Sequence, residues 1–294
     1  MNYNEPLFRP PSEANSLIFQ VTLGCSFNKC SFCAMYKTKQ YAEKPLEDAL
    51  AEIDRMAFLG SRIEKVFLAD GDALNLPTEH LLQILERLNA RFPALRQISS
   101  YALPNNLKKK SLQELTALRE AGLSLIYYGI ETGSPDVLKR ITKGATREVM
   151  IAGLNKASDA GLKISATVIL GLGGKELWQD HIAGTVDLVN QTRLDYLSTL
   201  QLFLHDSVRD EFITKFEKRG GVFVPQDDEG MLHEQYHLIA GIEPVRSLEF
   251  RSNHASNALP LKGRLPDDRR ELLQLVEAGR EGRIPLRPLH FRAM

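Results

Sequence analysis

The chain has 294 residues and a mass of 33.0 kDa, with 43% hydrophobic and 25% charged residues, 20 Gly and 14 Pro. These fractions exclude a disordered, collagen-like or disulfide-scaffold protein and suit one large domain or two ordinary ones. Lys plus Arg and Asp plus Glu both number 37, so the neutral chain offers no broad field for nucleic acid or an anionic membrane, although a local basic groove stays compatible with it. The longest apolar stretch, Ile164 to Gly173, is too short to span a bilayer as a helix. Met1 to Ser16, with Pro10-Pro11, lacks the basic start and apolar run of a signal peptide. The expectation is a globular cytoplasmic protein with no membrane association.

In chain order, short apolar runs alternate with longer amphipathic ones. Leu17 to Thr22 reads as a buried strand, followed by a loop from Gly24 to Lys39 and a helix from Leu46 to Leu59 that Gly60 stops. Lys65 to Ala69 is a strand, Thr78 to Phe92 a Leu/Ile-striped helix, and Gln97 to Tyr101 a weaker strand. Ser111 and Glu114 form a capping-box pattern before a helix ended by Gly122. Leu123 to Ile130 is a strand, Ser134-Pro135 a helix start, and Met150 to Ala160 a helix; Lys163 to Leu170, Glu176 to Asn190 and Tyr196 to Phe203 follow as strand, helix and strand. Leu59-Gly60, Ala121-Gly122 and Ala160-Gly161 share a helix–Gly–strand junction, where Gly takes the left-handed conformation that turns the chain back. Six such units imply an α/β fold with a parallel sheet covered on both faces, either doubly wound or an incomplete barrel. Residues 1–205 are expected to form the core and 206–294 a C-terminal extension. That extension reads as helices Asp206–Lys218, Asp228–Ala240 and Pro266–Gly279, with an irregular polar segment between the last two.

All three cysteines, Cys25, Cys30 and Cys33, lie in one nine-residue window. An odd, clustered set in a chain without an export signal points to metal ligation over disulfides. Soft thiolates at this spacing suit zinc or an iron–sulfur cluster. A structural zinc asks for four protein ligands, and no His or Cys follows closely in sequence. Three thiolates leave one iron of a [4Fe–4S] cluster open to an external ligand.

The segment Gly24-Cys25-Ser26-Phe27-Asn28-Lys29-Cys30-Ser31-Phe32-Cys33-Ala34-Met35-Tyr36 resembles the cluster loop of radical S-adenosylmethionine (SAM) enzymes. Their usual spacing places three residues, then two, between cysteines; this chain has four, then two, with Phe32 as the aromatic before the third. Rarer members, including an uncharacterised group, carry the longer spacing. Asp70-Gly71-Asp72-Ala73 stands where the family has its Gly-Gly-Glu-Pro segment, without the diglycine. Tyr128 to Ser134 and Leu138 to Gly144 resemble the fourth strand and its helix, and Ile169 to Gly174 the fifth-strand segment. The resemblance covers about residues 16 to 205 and implies a partial (β/α)6 TIM-type barrel. It also implies a [4Fe–4S] cluster on Cys25, Cys30 and Cys33 and SAM held by Phe32, Asp70, Gly71, Asp72, Glu131, Leu170, Gly171, Leu172 and Gly173.

Each residue also has a plainer reading. Asp70 and Asp72 suit helix capping, Glu131 a solvated loop acid, and the glycine run an ordinary turn. Tyr101, His205 and Asp206 fall near strand ends, where packed side chains with one hydrogen bond are common. The family mechanism is reductive cleavage of SAM, giving a 5′-deoxyadenosyl radical that abstracts hydrogen from a substrate whose identity the sequence does not carry. The implied partners are that substrate and an electron donor such as flavodoxin or ferredoxin; nucleic acid is not indicated. The cysteine supply allows a single cluster and no auxiliary one, and the stretch ahead of residue 16 is too short for a cobalamin-binding domain. A haem-carrying binding module and a zinc-stabilised barrel are the competing readings. Finally, Phe250 to Asn257 is polar and follows the last barrel strand. It looks like a segment of the uncharacterised group, with Arg251, Asn253, His254 and Asn257 as candidate substrate contacts, against the alternative of a surface turn or capping loop.

Overall fold

A computed structural model describes residues 3–292, which form two compact units. The first comprises 3–28, Cys33–Tyr128 and Lys156–Ile164; the second comprises Lys29–Phe32, Gly129–Asn155 and 165–292.

The first unit begins with strand β1 (Leu17–Gln20) and β2 (Thr22–Leu23), the latter paired antiparallel with β3 (Ala42–Glu43). Strands β4 (Lys65–Ala69), β5 (Gln97–Ala102) and β6 (Leu123–Glu131) continue a parallel ladder from β1. Four of the five β4 residues, Val66 to Ala69, are buried, as a strand covered on both faces requires. The helix Thr78–Arg91 buries Leu81, Ile84, Leu85 and Leu88, one face at three- and four-residue spacing, each worth about 2 kcal/mol of apolar burial. Ser111 and Glu114 satisfy each other's backbone N–H groups at 3.1 and 2.8 Å and open the helix Leu112–Glu120. Gly122 and Gly161 take positive φ, as their junctions predict, whereas the helix expected to reach Leu59 ends at Arg55 and Gly60 lies inside the 3-10 stretch Ala57–Arg62.

The chain crosses into the second unit inside β6. Strand β7 (Lys163–Leu170) pairs parallel with β8 (Tyr196–Gln201). The helices Pro135–Arg140, Gly174–Asn190, Asp206–Glu217 and Asp228–Gly241 pack in this unit. Val137, Ile141, Ile169, Leu172, Leu204, Phe212, Phe216 and Phe223 form a buried core there.

Several elements differ from the sequence reading. The segment expected to be irregular holds β9 (Leu248–Arg251), parallel to β8, and β10 (Lys262–Leu265), antiparallel to β9. Each is four residues with two buried side chains at most, too short for periodicity to stand out; pairing with β8 makes the strand. Pro104–Lys109 forms an extra helix where the sequence reading placed none, its backbone closed by Asn106 Oδ1 accepting from Leu103 N–H at 2.6 Å.

Candidate functional site

In the first unit the loop bearing Cys25 and Cys33 leaves the C-terminal ends of β1 and β2, the edge where α/β barrels collect their chemistry. Asp70, fully buried just past β4, pins its base: Oδ2 accepts from Gly24 N–H at 3.1 Å and from Lys39 Nζ at 3.0 Å. Asn28 sits at φ 39°, donates its side-chain amide to the Tyr36 carbonyl at 2.7 Å, and directs its backbone N–H at Cys25 Sγ at 3.5 Å. Amide donors on a sulfur favour the thiolate that a metal needs.

Asp72 is also fully buried, and its Oδ2 accepts from the Ser26 hydroxyl, one residue from Cys25. It starts the 3-10 turn Ala73–Asn75 but makes no side-chain cap, so the capping alternative does not form. Asp72 Oδ1 and Asn106 Nδ2 are buried without a hydrogen bond of good geometry, an arrangement that protein interiors rarely tolerate without a ligand or water. Burial pushes the Asp72 carboxyl up to about 6, with the Ser26 hydroxyl, the Asn106 amide and the Lys109 charge acting in the opposite sense. Between the two acids, Gly71 lies against Tyr36: a Cβ there would stand 2.4 Å from the ring. Only glycine lets that ring cover the strand end.

The second unit holds Cys30, Phe32 and the remaining predicted positions. Ser31 N–H donates to the Ile141 carbonyl at 3.0 Å, and Phe32 packs on the Val137–Ile141–Ile169–Leu172 core. Glu131 ends β6 at φ 63°, which is uncommon for a residue with a side chain and recurs at functional sites. Its carboxylate is 3.0 Å from Lys143 Nζ, both groups being buried, so it is not a solvated loop acid. Gly129 makes this possible, because a Cβ there would fall 1.9 Å from Glu131 Oε1. After β7, Leu170 and Leu172 turn their side chains into the interior, leaving the backbone of Gly171 and Gly173 to form the turn. Gly171 N–H donates to Glu234 Oε2 at 2.6 Å.

The segment after β9 is tied down by its own polar groups. Asn257 is buried, accepts from Gln201 N–H at 2.9 Å and donates to the Thr199 carbonyl and Ser252 Oγ, both at 2.8 Å. His254 Nδ1 accepts from Ser256 N–H at 3.1 Å, and burial pulls its imidazole below the usual range. The Arg251 guanidinium lies 5.5 Å above the Tyr196 ring, while Asn253 is exposed. Tyr101 packs edge-on against Phe67 at 5.1 Å, and His205 caps the helix Asp206–Glu217. Both are the plainer roles expected of strand-end residues.

Sequence reasoning missed Ser26, Asn106, Lys143, His181 and Glu234. Only Glu234 left a signal: an acid among the inward positions of the helix Asp228–Gly241, between Met231 and Leu238.

The donor chemistry fits an iron–sulfur cluster. Among the described residues, no three His, Cys, Asp or Glu side chains close around a point as a single-ion site would. All three cysteines are partly accessible, as ligands to an incoming cluster must be. The neighbouring buried carboxylate of Asp72, whose Oδ1 makes no hydrogen bond of good geometry, marks polar capacity left for a ligand.

Comparison with known proteins agrees with this reading. The chain is 23% identical over 247 residues to the haem chaperone HemW of Bacillus subtilis, covering 78% of this chain and 63% of that protein. It is 26% identical over 228 residues to GTP 3',8-cyclase 1 of Pseudomonas aeruginosa, covering 76% and 63%. In structure it resembles coproporphyrinogen III oxidase of Escherichia coli, described as a radical SAM enzyme, with a TM-score of 0.59 at 20% identity over 76% of this chain and 51% of that one. That likeness identifies the fold as similar to the partial TIM barrels of radical SAM proteins. The chain spans less than two thirds of the length of these relatives. Among the described residues no helix is long and apolar enough to cross a membrane. Residues 19–189, more than half the chain, match the radical SAM superfamily, whose cofactors are a [4Fe–4S] cluster and SAM, and the chain belongs to that superfamily.

Proposed function

We propose that the protein is a radical SAM enzyme in which Cys25, Cys30 and Cys33 hold the cluster. When bound, the cluster and SAM supply a 5′-deoxyadenosyl radical by one-electron reductive cleavage, for hydrogen abstraction from a substrate. The chain's own residues bind and orient. The Gly71 backbone and Asp72 take the SAM amino group, Glu131 takes the ribose hydroxyls, and Phe32 with the Leu170–Gly173 backbone lies along the adenine side. Residues 1–205 form the catalytic core with its cluster loop at 24–39, and 206–294 form an extension. Within that extension, Arg251, Asn253 and His254 are the candidate substrate contacts, and Asn257 holds their segment in place through its bonds to Gln201, Thr199 and Ser252. Reduction comes from a small electron carrier such as flavodoxin or ferredoxin.

The observation that carries this reading is the contrast in charge between the strand-end acids. Asp72 is buried with an oxygen that makes no hydrogen bond of good geometry, which suits a cationic ammonium. Glu131 is already neutralised by Lys143, which suits neutral hydroxyls. A haem-carrying role is the second reading, favoured by the match to the haem chaperone over 78% of this chain. Anaerobic reconstitution with iron and sulfide, followed by dithionite and SAM, distinguishes them. The enzyme reading expects release of 5′-deoxyadenosine; haem binding without any SAM cleavage favours the carrier.

A further inference from the structure

We infer that Glu234 is a positioning residue for SAM: reaching in from the helix Asp228–Gly241, it fixes the Gly171 turn and, through His181, joins it to the turn that carries Glu131. This rests on reading Glu131 and Leu170–Gly173 as SAM contacts.

Glu234 and His181 are both completely buried. Glu234 Oε2 accepts from Gly171 N–H at 2.6 Å, and Oε1 accepts from Gln226 Nε2 at 3.1 Å. His181 Nε2 lies 3.8 Å from Glu234 Oε2, and on the other side of the ring Nδ1 is 2.8 Å from Thr132 Oγ1. Thr132 follows Glu131 directly and is itself fully buried. Buried polar groups therefore follow one another as Thr132–His181–Glu234–Gly171 between the ends of β6 and β7, hydrogen-bonded at the Thr132–His181 and Glu234–Gly171 ends and in polar proximity between His181 and Glu234. Thr132 Oγ1 also accepts from Ser134 N–H at 3.1 Å. His181 Nε2 makes no hydrogen bond of its own, so the imidazole meets Glu234 as a buried polar neighbour at 3.8 Å.

A neutral acceptor would satisfy Gly171 N–H for packing alone. A carboxylate in an apolar helix face costs more to bury and returns a shorter, charge-assisted bond. Burial pushes Glu234 up to about 7 and pulls His181 down to about 4, so His181 stays neutral while Glu234 changes charge near neutrality. His181 is the titratable side chain facing Glu234; nearby, Lys175 and Asp227 pair with each other at the surface at 2.7 Å. The ionised carboxylate holds the Gly171 turn tightly and the protonated one holds it less, so the turn stiffens as pH rises through this range.

The test is SAM titration into the anaerobically reconstituted protein from pH 6.5 to 8, with E234Q, E234A and Glu131→Ala. It is paired with amide hydrogen exchange of residues 170–174 in the ligand-free wild type, corrected for intrinsic pH dependence. E234A is expected to keep its iron and weaken SAM binding about tenfold. E234Q is expected to bind as the wild type does at pH 6.5 but to lose the wild type's strengthening toward pH 8. In the wild type, protection at Gly171 should rise across the same window. If both Glu234 variants bind SAM as the wild type does at every pH while Glu131→Ala weakens it, the inference fails and the SAM site stands. If Glu131→Ala binds SAM unchanged, the SAM site itself fails and takes the inference with it. Should E234A not fold, E234Q and the wild-type exchange decide: pH-independent protection at Gly171 overturns the proposal.

Discussion

Asp72 in the first unit and Glu131 in the second are both buried acids just beyond or at the end of a parallel strand, yet their surroundings are opposite. Asp72 meets the Ser26 hydroxyl and the Asn106 amide, has one oxygen without a hydrogen bond of good geometry, and has its carboxyl pushed up to about 6 by burial. Glu131 is held at positive φ over Gly129 and paired with Lys143. The first is an unfinished site that gains by receiving a positive charge; the second is complete in charge and keeps acceptor capacity for neutral donors. Strand-end acids in one family fold are therefore not interchangeable, and their partners distinguish their roles.

The most severe way to break the proposed arrangement is at the cysteines. Cys25→Ala, Cys30→Ala or Cys33→Ala should each abolish iron retention and SAM cleavage, read by iron analysis and 5′-deoxyadenosine release. Iron-free wild type with full anaerobic activity would refute the cluster assignment.

Glu131→Ala removes the carboxylate 3.0 Å from the buried Lys143 ammonium and should lower folding stability by about 1 kcal/mol or more, read by denaturant unfolding. Glu131→Gln removes the charge but retains an acceptor, and should lose less stability while still weakening SAM binding.

Asp72→Asn should behave in the opposite sense. The folded carboxyl is raised above the ordinary carboxylate range to about 6, so its contribution to stability is present below the ordinary range and is lost as pH rises through about 6. Removing the buried charge should then stabilise the ligand-free protein at pH 7.5 by on the order of 2 kcal/mol, while SAM binding weakens. Wild-type affinity for SAM should fall as pH drops below about 6, and the variant should lose that dependence. Destabilisation by Asp72→Asn with unchanged SAM affinity would erase the contrast with Glu131.

The smallest effects are expected after β9. Arg251→Ala and His254→Ala should retain iron and substrate-free SAM cleavage and lower substrate turnover once the substrate is known. Asn257→Ala should also lose about 2 kcal/mol of stability, because the backbone and hydroxyl groups it serves are buried. Unchanged turnover in all three would leave this segment a structural loop.

The sequence by itself determined the parallel α/β order, the cysteine window and the strand ends from which Asp72, Glu131 and Gly171 emerge. Strand runs such as Lys65–Ala69 and Lys163–Leu170 and the Ser111–Glu114 cap are local, so periodicity and capping chemistry expose them directly. Only the tertiary structure decided β9 and β10, because four-residue strands owe their conformation to the neighbours they pair with. It also decided what each acid meets: Asp70 reaches Gly24 across 46 residues of chain, and Glu234 reaches Gly171 across 63. Such contacts leave no period or spacing in the sequence. Burial and partner, which set the charge state of a carboxylate, exist only once the chain has folded around it.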